Sequence, residues 1–189
     1  MKKNMLRIFL VIISGMTLSM IASAQSVYMT NTGKATFYSK APLEDIEATS
    51  NKANCIVNTS NGEVLSIIAI RTFKFAKALM EEHFNEKYLE SDKYKDATFK
   101  GKITEALVTD RDTSYNVNVT GTMKIHGVEQ PASYTAAYSV KGGMPSLEGS
   151  FNIALKDYNI TIPKLVIENI AEVVKVTCKF DLSPYQKKN

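Results

Sequence analysis

The segments YNVNVTGTMKI (residues 115–125), LEGSFNIAL (147–155) and VKVTCKFDL (174–182) decide the fold, because apolar and polar side chains alternate along each of them. Successive side chains of a β-strand point to opposite faces. Each segment is therefore predicted to form a strand with one apolar face, and residues 97–103 and 134–140 repeat the pattern. Such a sheet buries its apolar face against a second layer or by closing into a barrel.

The length of these strands favours a barrel. A strand of about ten residues spans roughly 34 Å, which is more than the usual five or six residues provide. Residues 126–131 and 142–145 are predicted turns between neighbouring strands. The longer link at 156–171 contains the apolar residues 165–167 and Ile170, and we expect it to hold a helical turn or an extra strand over a barrel mouth. Long, tilted strands suit an all-β, antiparallel barrel of about eight strands. Small inward residues would permit its bends: Gly101, Gly121 and Gly149.

The part of the chain before residue 97 is less regular. Short strands are predicted at residues 36–38, 45–51 and 53–58. Residues 63–75 are apolar on both faces, which predicts either a bulge or a strand covered on both sides. The apolar spacing then changes to that of an amphipathic helix at residues 76–85. A helix this short is unstable alone, so we expect it to dock on the sheet or to cap one end of the barrel.

Residues 1–24 are predicted to be a signal peptide. A basic start precedes an apolar run at residues 8–21, and Ala22-Ser23-Ala24 is a typical cleavage site. The alternative is a membrane anchor, but the run is shorter than the roughly 20 residues that a span needs. We therefore expect one barrel domain at residues 25–189, periplasmic or secreted. No cysteine lies near the cleavage site, so we do not expect a lipid-anchored lipoprotein.

The charge of the chain does not favour a nucleic-acid partner. The formal net charge is +4, from 23 basic and 19 acidic residues. Three of the basic residues, Lys2, Lys3 and Arg7, belong to the predicted leader, so the remainder is nearly balanced. No stable membrane span is predicted, and the oligomeric state stays open.

Few residues suggest chemistry, and we predict no catalytic group, metal or cofactor. Cys55 and Cys178 could form a disulfide in an exported protein or could remain small buried thiols. His83 and His126 lack the spacing of a zinc site. His126 could form a hydrogen bond to a ligand head group at a barrel mouth, or it could stabilise the turn in which it lies. Arg71 could face a polar ligand end or solvent.

Inward-facing aromatic and aliphatic side chains are the candidate ligand contacts. Alternation does not distinguish a ligand cavity from a filled core, because an inward Phe looks the same in both. The small inward residues and the absence of Trp favour empty volume. The candidates are Phe99, Tyr115, Val117, Val119, Met123, Tyr134, Tyr138, Phe151, Ile153, Val176 and Phe180.

Six short stretches follow one another along the chain after the leader. They are FKF (73–75), KALMEEHF (77–84), ESDKY (90–94), ATFKG (97–101), IHGV (125–128) before Pro131, and Phe151 followed by DYNI (157–160) and Ile162-Pro163. Each stretch alone is weak, but together they span most of the chain after the leader. In this order they resemble the YceI-like family of exported bacterial proteins, the lipid- or polyisoprenoid-binding group.

The resemblance implies a lipocalin-like barrel with a long apolar cavity and an isoprenoid or related lipid as ligand. The leading hypothesis is accordingly an exported protein that holds a long-chain lipid without chemistry. Two alternatives remain: a solid-core structural or partner-binding barrel, and an enzyme that acts on a hydrophobic substrate.

Overall fold

The structure, a computed structural model, describes residues 26–163 and 170–186. The predicted signal peptide and the apolar residues 165–167 lie outside this range. Ten strands and one α-helix are present in the described residues: β1 Val27–Lys40, β2 Asp45–Asn58, β3 Glu63–Ala69, β4 Lys74–Phe75, α1 Ala78–His83, β5 Asp96–Ile103, β6 Thr113–Ile125, β7 Val128–Lys141, β8 Met144–Ala154, β9 Val173–Asp181 and β10 Ser183–Pro184.

Eight of these strands close into an antiparallel barrel, as predicted. The order around the wall is β1, β9, β8, β7, β6, β5, β3 and β2, and β2 pairs with β1 to complete the circle. The short strands β4 and β10 pair with β2 and β1. Closure gives each strand of the main wall a neighbour on both sides for at least part of its length, which reduces the liability of exposed edge strands.

The alternation of the long strands gives the predicted side-chain directions. Val117 and Val119 on β6 are fully buried, whereas Asn118 between them is exposed. On β8, Ile153 is buried and Asn152 is exposed. The apolar face therefore forms the barrel interior, and burial of this face supplies the main driving force for closure.

Strands β1 and β2 are longer than the sequence predicted. The register of their pairing shifts between Thr30 and Gly33 and again between Gly33 and Ala35. These irregularities place Asn31 and Thr32, both exposed, side by side and break the period of two. The prediction of a strand at residues 36–38 was therefore too short, because the pattern that identifies strands is interrupted at the bulges.

The segment from residue 63 to residue 88 is divided more finely than predicted. Strand β3 ends at Ala69, and a 3-10 turn at Ile70–Thr72 follows before β4. Helix α1 is shorter than the predicted residues 76–85 and continues as a π-helical turn at Phe84–Tyr88. The single long strand predicted at residues 63–75 was wrong, because the 3-10 turn redirects the chain toward the barrel mouth.

The turn between β6 and β7 is tighter than predicted. His126 and Gly127 both have positive φ, of 50° and 78°, and complete a two-residue hairpin. Pro131 consequently lies within β7 and not in the turn. A Cβ on Gly127 would lie 2.5 Å from the Tyr94 ring, so glycine is required here for both backbone and space.

The two ends of the barrel differ. Around β6 residues 113–119 the interior is filled, and the loop at residues 104–112 covers it. The Tyr115 hydroxyl donates to the Ala106 carbonyl (2.8 Å), and the Tyr138 hydroxyl donates to the Val108 carbonyl (3.0 Å). The opposite end, where β3 and β8 finish, is not filled, and the candidate site lies there.

Candidate ligand cavity

A cavity of about 450 Å³ occupies the unfilled half of the barrel. This volume is within the range of small-molecule sites, which are mostly apolar hollows of about 300–1,000 Å³. Its wall takes side chains from most of the barrel strands and from α1. The cavity is thus the interior of the barrel itself, left open where the inward side chains do not meet.

Seven of the eleven predicted contact residues line this cavity. They come from β5 to β9, and they are neighbours in space because inward residues of adjacent strands lie side by side. They are Phe99, Met123, Tyr134, Phe151, Ile153, Val176 and Phe180.

The other four predicted contacts lie in the filled half and do not line the cavity. Val117 and Val119 are fully buried in the core, and Tyr115 and Tyr138 pack their rings together at 5.4 Å beneath the covering loop. Their hydroxyls donate hydrogen bonds to the backbone of that loop. Alternation alone could not reveal this division, because it reports which face is inward and not how far along the barrel a residue sits.

Aromatic rings form the inner wall of the cavity. The Tyr134 ring lies 5.5 Å from Phe99 and 4.9 Å from Phe151. A Cβ on Gly149 would come within 3.4 Å of the Tyr134 ring, and one on Gly33 would overlap Phe180 at 2.5 Å. The glycines therefore leave the space that these rings occupy.

The mouth has a second aromatic cluster that the sequence analysis did not identify as part of the site. Phe37, Phe73, Phe75 and Phe84 have ring centroids 5.0–5.8 Å apart. Leu79, on α1, lines the cavity yet is 61% exposed. The helix thus sits at the open end, as predicted, and the FKF stretch at residues 73–75 was the sequence signal that could have assigned these rings to the wall.

Charged residues at the mouth are paired with each other. Lys77 and Glu44 are 2.5 Å apart, and Lys74 and Glu81 are also 2.5 Å apart. The hydrogen bond from Lys74 holds the pKa of Glu81 below its usual range. These pairs are at least partly exposed, so each contributes little to stability, but they leave the inner wall to apolar groups.

The barrel wall opens along one seam beside the cavity. Strands β7 and β8 pair only where residues 136–141 face residues 144–149. Beyond Ala136 and Gly149 the strands separate, and a polar hollow of about 240 Å³ lies between them. The Tyr134 and Phe151 side chains line both the hollow and the cavity, so side chains and not backbone close the wall there.

His126 stabilises the turn between β6 and β7 and does not line the cavity. Its Nδ1–H donates to the Tyr158 carbonyl (3.1 Å), and its Nε2 lies 2.7 Å from the Glu90 carboxylate. The ring also packs edge-on against Tyr94. His126 therefore ties the β6–β7 turn to two loops. Arg71 is exposed and pairs with Asp92. Of its two predicted roles, facing a polar ligand end or facing solvent, the structure shows the second.

The two cysteines are free and buried. Burial raises the pKa of the Cys55 thiol to about 12, and that of Cys178, which lines the cavity, to about 12 as well. Both thiols therefore stay protonated near neutral pH and behave as small apolar groups.

Neither a metal-binding cluster nor a membrane-spanning helix is present in residues 26–163 and 170–186. No group of three or more His, Cys, Asp or Glu side chains has the proximity needed to hold a metal ion. No helix among them is long and apolar enough to cross a membrane.

Comparison with known proteins identifies the fold and the family. The structure resembles a polyisoprenoid-binding domain from Saccharophagus degradans implicated in plant cell wall breakdown (TM-score 0.74, 15% identity, covering 85% of this chain and 99% of that one). It also resembles BcnA of Burkholderia cenocepacia (TM-score 0.66, 18% identity, 80% and 96% covered) and a YceI protein of Campylobacter jejuni (TM-score 0.52, 14% identity, 72% and 81% covered). These identities are low, so the likenesses show the shared fold alone.

The sequence comparison goes further than the structural one. No protein in the curated set matches the chain significantly by sequence. The YceI-like domain, however, matches residues 20–182, which is most of the chain. The chain therefore belongs to the YceI-like domain family.

Proposed function

We propose that this protein is an exported carrier that holds an isoprenoid or another long-chain lipid in the barrel cavity and performs no chemistry on it. The single observation that carries the proposal is the cavity of about 450 Å³ with its largely apolar wall. The solid-core alternative does not account for this empty volume, since protein interiors are normally close-packed.

Burial of apolar surface supplies the affinity. Covering roughly 300 Å² of a ligand contributes about 7 kcal/mol at 25 cal/mol per Å², before the entropic costs of binding. The aromatic clusters at the mouth and on the inner wall provide flat, rigid contact surfaces for a chain. The Saccharophagus degradans relative is a polyisoprenoid-binding domain, which favours the same ligand class for this chain.

The described cavity wall favours binding over catalysis. The Ser39 hydroxyl accepts a hydrogen bond from the Ala171 N–H (2.9 Å), so its oxygen is occupied by the backbone. The Cys178 thiol is held in its protonated form. Within residues 26–163 and 170–186 neither group is hydrogen-bonded to a carboxylate or an imidazole, the bases that activate such nucleophiles.

The proposed location is the periplasm or the exterior, based on the leader at residues 1–24. N-terminal sequencing of protein recovered outside the cytoplasm tests it. A chain that starts at Gln25 supports export, and an uncleaved chain retained in the membrane opposes it.

A pair of matched substitutions on β9 tests the cavity as the binding site. Val176 faces the cavity, whereas Val173 is 51% exposed on the same strand. Val176→Phe should fill part of the cavity and abolish displacement of a bound fluorescent dye by farnesol, a C15 isoprenoid alcohol. Val173→Phe should leave displacement unchanged. Absence of farnesol binding to the delipidated wild type, or equal binding by both variants, would reject the proposal.

A further inference from the structure

Two hydroxyl groups on the inner wall of the cavity have no hydrogen-bond partner among the residues that the structure describes. Ser66 of β3 is 9% exposed and lines the cavity. Tyr134 of β7 also lines it, and its hydroxyl makes no hydrogen bond within the described part of the chain. The fully enclosed side-chain oxygens without a partner in the described residues are Asn85 Oδ1 and Ser91 Oγ. The Ser66 and Tyr134 hydroxyls are not among them, so they keep some accessible surface through which a ligand could reach them.

The two hydroxyls lie in the same inner region. Ser66 is paired with Phe99 across β3 and β5, and the Phe99 ring is 5.5 Å from the Tyr134 ring. The Tyr134 ring lies against Gly149, whose partner on β9 is Cys178. The inner wall of an otherwise apolar cavity therefore presents two hydroxyls, with the Cys178 thiol beside them.

Two other hydroxyls of the barrel interior are used by the protein. The Tyr138 hydroxyl, on the same strand as Tyr134, donates to the Val108 carbonyl, and the Ser39 hydroxyl accepts from Ala171. Tyr88 and Thr98 also line the cavity without a side-chain hydrogen bond in the described residues, Tyr88 from the π-helical turn that follows α1. Ser66 and Tyr134 are the two that meet around Phe99 on the inner wall, where one ligand group could reach both.

The surroundings select an uncharged group. Desolvation raises the pKa of Tyr134, with smaller contributions from Cys178 and Cys55. Moving a charge into such an environment without a counter-charge is costly, whereas a hydroxyl or carbonyl needs only hydrogen-bond partners. Serine and tyrosine hydroxyls can each donate and accept, so they suit either an alcohol or a carbonyl oxygen.

We propose that Ser66 and Tyr134 form a polar subsite that binds an uncharged oxygen-bearing end of the ligand, a hydroxyl or a carbonyl, at the inner end of the cavity. The ligand then enters polar end first, and its chain extends toward the phenylalanines of the mouth. This inference rests on the proposed carrier function and adds the chemistry and orientation of the ligand.

Three ligands with the same C15 chain test the subsite on delipidated protein: farnesol, the hydrocarbon farnesene and farnesyl phosphate. The wild type should bind farnesol more tightly than the other two. Tyr134→Phe and Ser66→Ala should each weaken farnesol binding by about two- to tenfold, the range expected for one neutral hydrogen bond. Binding of farnesene should not change, because it makes no such bond.

Tyr138→Phe is the matched control, because it removes a hydroxyl that already has a partner. It should lower the midpoint of thermal unfolding and leave farnesol binding unchanged. Tyr134→Phe should leave the apo unfolding midpoint unchanged, since no bond within the protein is lost.

The outcomes separate this inference from the proposed function. Binding of none of the three ligands would reject the carrier function and the subsite together. Binding of farnesol and farnesene with equal affinity, or equal losses for both in Tyr134→Phe, would reject the subsite and leave the carrier function intact. Preference for farnesyl phosphate would also reject it.

Discussion

At the scale of single residues, Phe151 distinguishes a cavity from a filled core. It lines the cavity and is only half-buried. Phe151→Ala should therefore enlarge an existing space and cost about 1–2 kcal/mol of unfolding free energy, below the roughly 3–5 kcal/mol usual for a buried Phe. Urea unfolding of delipidated protein measures this, and lipid must be removed first because a bound ligand adds apparent stability.

An isoleucine pair provides the control for this prediction. Ile103 lies in the filled half and is 1% exposed, whereas Ile153 lines the cavity. Ile103→Ala should cost about 2–5 kcal/mol, and Ile153→Ala should cost less. Equal losses at both positions would mean that the interior is packed uniformly.

The cysteine thiols give a second prediction at the residue scale. Because burial raises the pKa of both thiols to about 12, they are almost entirely protonated at pH 8. Labelling of the native protein by a thiol reagent should thus be slow and should keep accelerating as the pH rises from 9 to 12. Both thiols should react at once in denaturant, and a single reactive thiol or none would indicate a modification or a disulfide.

The same pKa shifts have a consequence for stability. The thiol pKa values are raised in the folded state above their ordinary value of 9.0. The folded state therefore holds protons that the unfolded state releases, and the stabilising effect is complete below pH 9. It is lost as the pH rises from 9 toward 12.

At the scale of elements, His126 joins three parts of the chain. It connects the β6–β7 turn to Glu90 in the segment after α1 and to Tyr158 in the 3-10 turn after β8. His126→Ala leaves the Tyr158 carbonyl without this partner, so we expect a loss of about 1–3 kcal/mol. Chemical denaturation measures it.

His83→Ala is the comparison for His126. The His83 side chain is half-buried on α1, and no side-chain hydrogen bond to it is present in the described residues. We expect a change within about 0.5 kcal/mol. A loss at His83 equal to that at His126 would contradict the connecting role of His126.

The sequence predicted elements well wherever the alternation is uninterrupted. Strands β5 to β9 were located from this pattern, because the side chains of each alternate between an inward face and an exposed face. Strand β1 was missed in part, since its bulges around Gly33 break the period. The 3-10 turn after β3 was missed for a different reason. Its apolar residue, Ile70, lines the cavity, and the turn follows neither a strand period nor a helix period.

The candidate site was predicted only in part, for a physical reason. Alternation assigns Val117 and Tyr134 to the same inward face, but only Tyr134 lines the cavity. The difference depends on the loop at residues 104–112, which covers one end through the Tyr115 and Tyr138 hydroxyls. Such contacts between distant segments leave no periodic signal in the sequence.

At the scale of the whole molecule, the barrel combines a rigid, filled half with an open half. The filled half, with its covering loop and short connections, holds the strands in register. The cavity in the open half therefore does not collapse, although the inward side chains around it do not meet across the centre of the barrel. In the described part of the chain, the cavity approaches the surface at the seam between β7 and β8 and at the mouth beside α1.

Native mass spectrometry tests the central claim, that the cavity holds a long-chain apolar ligand. The protein is expressed with its leader, recovered from outside the cytoplasm without detergent, and measured before and after organic extraction. We expect the chain to carry one extractable apolar molecule, and we expect Val176→Phe to lose it while Val173→Phe retains it. A bare protein mass, with no lipid in the extract and none acquired on incubation with farnesol, would contradict the account.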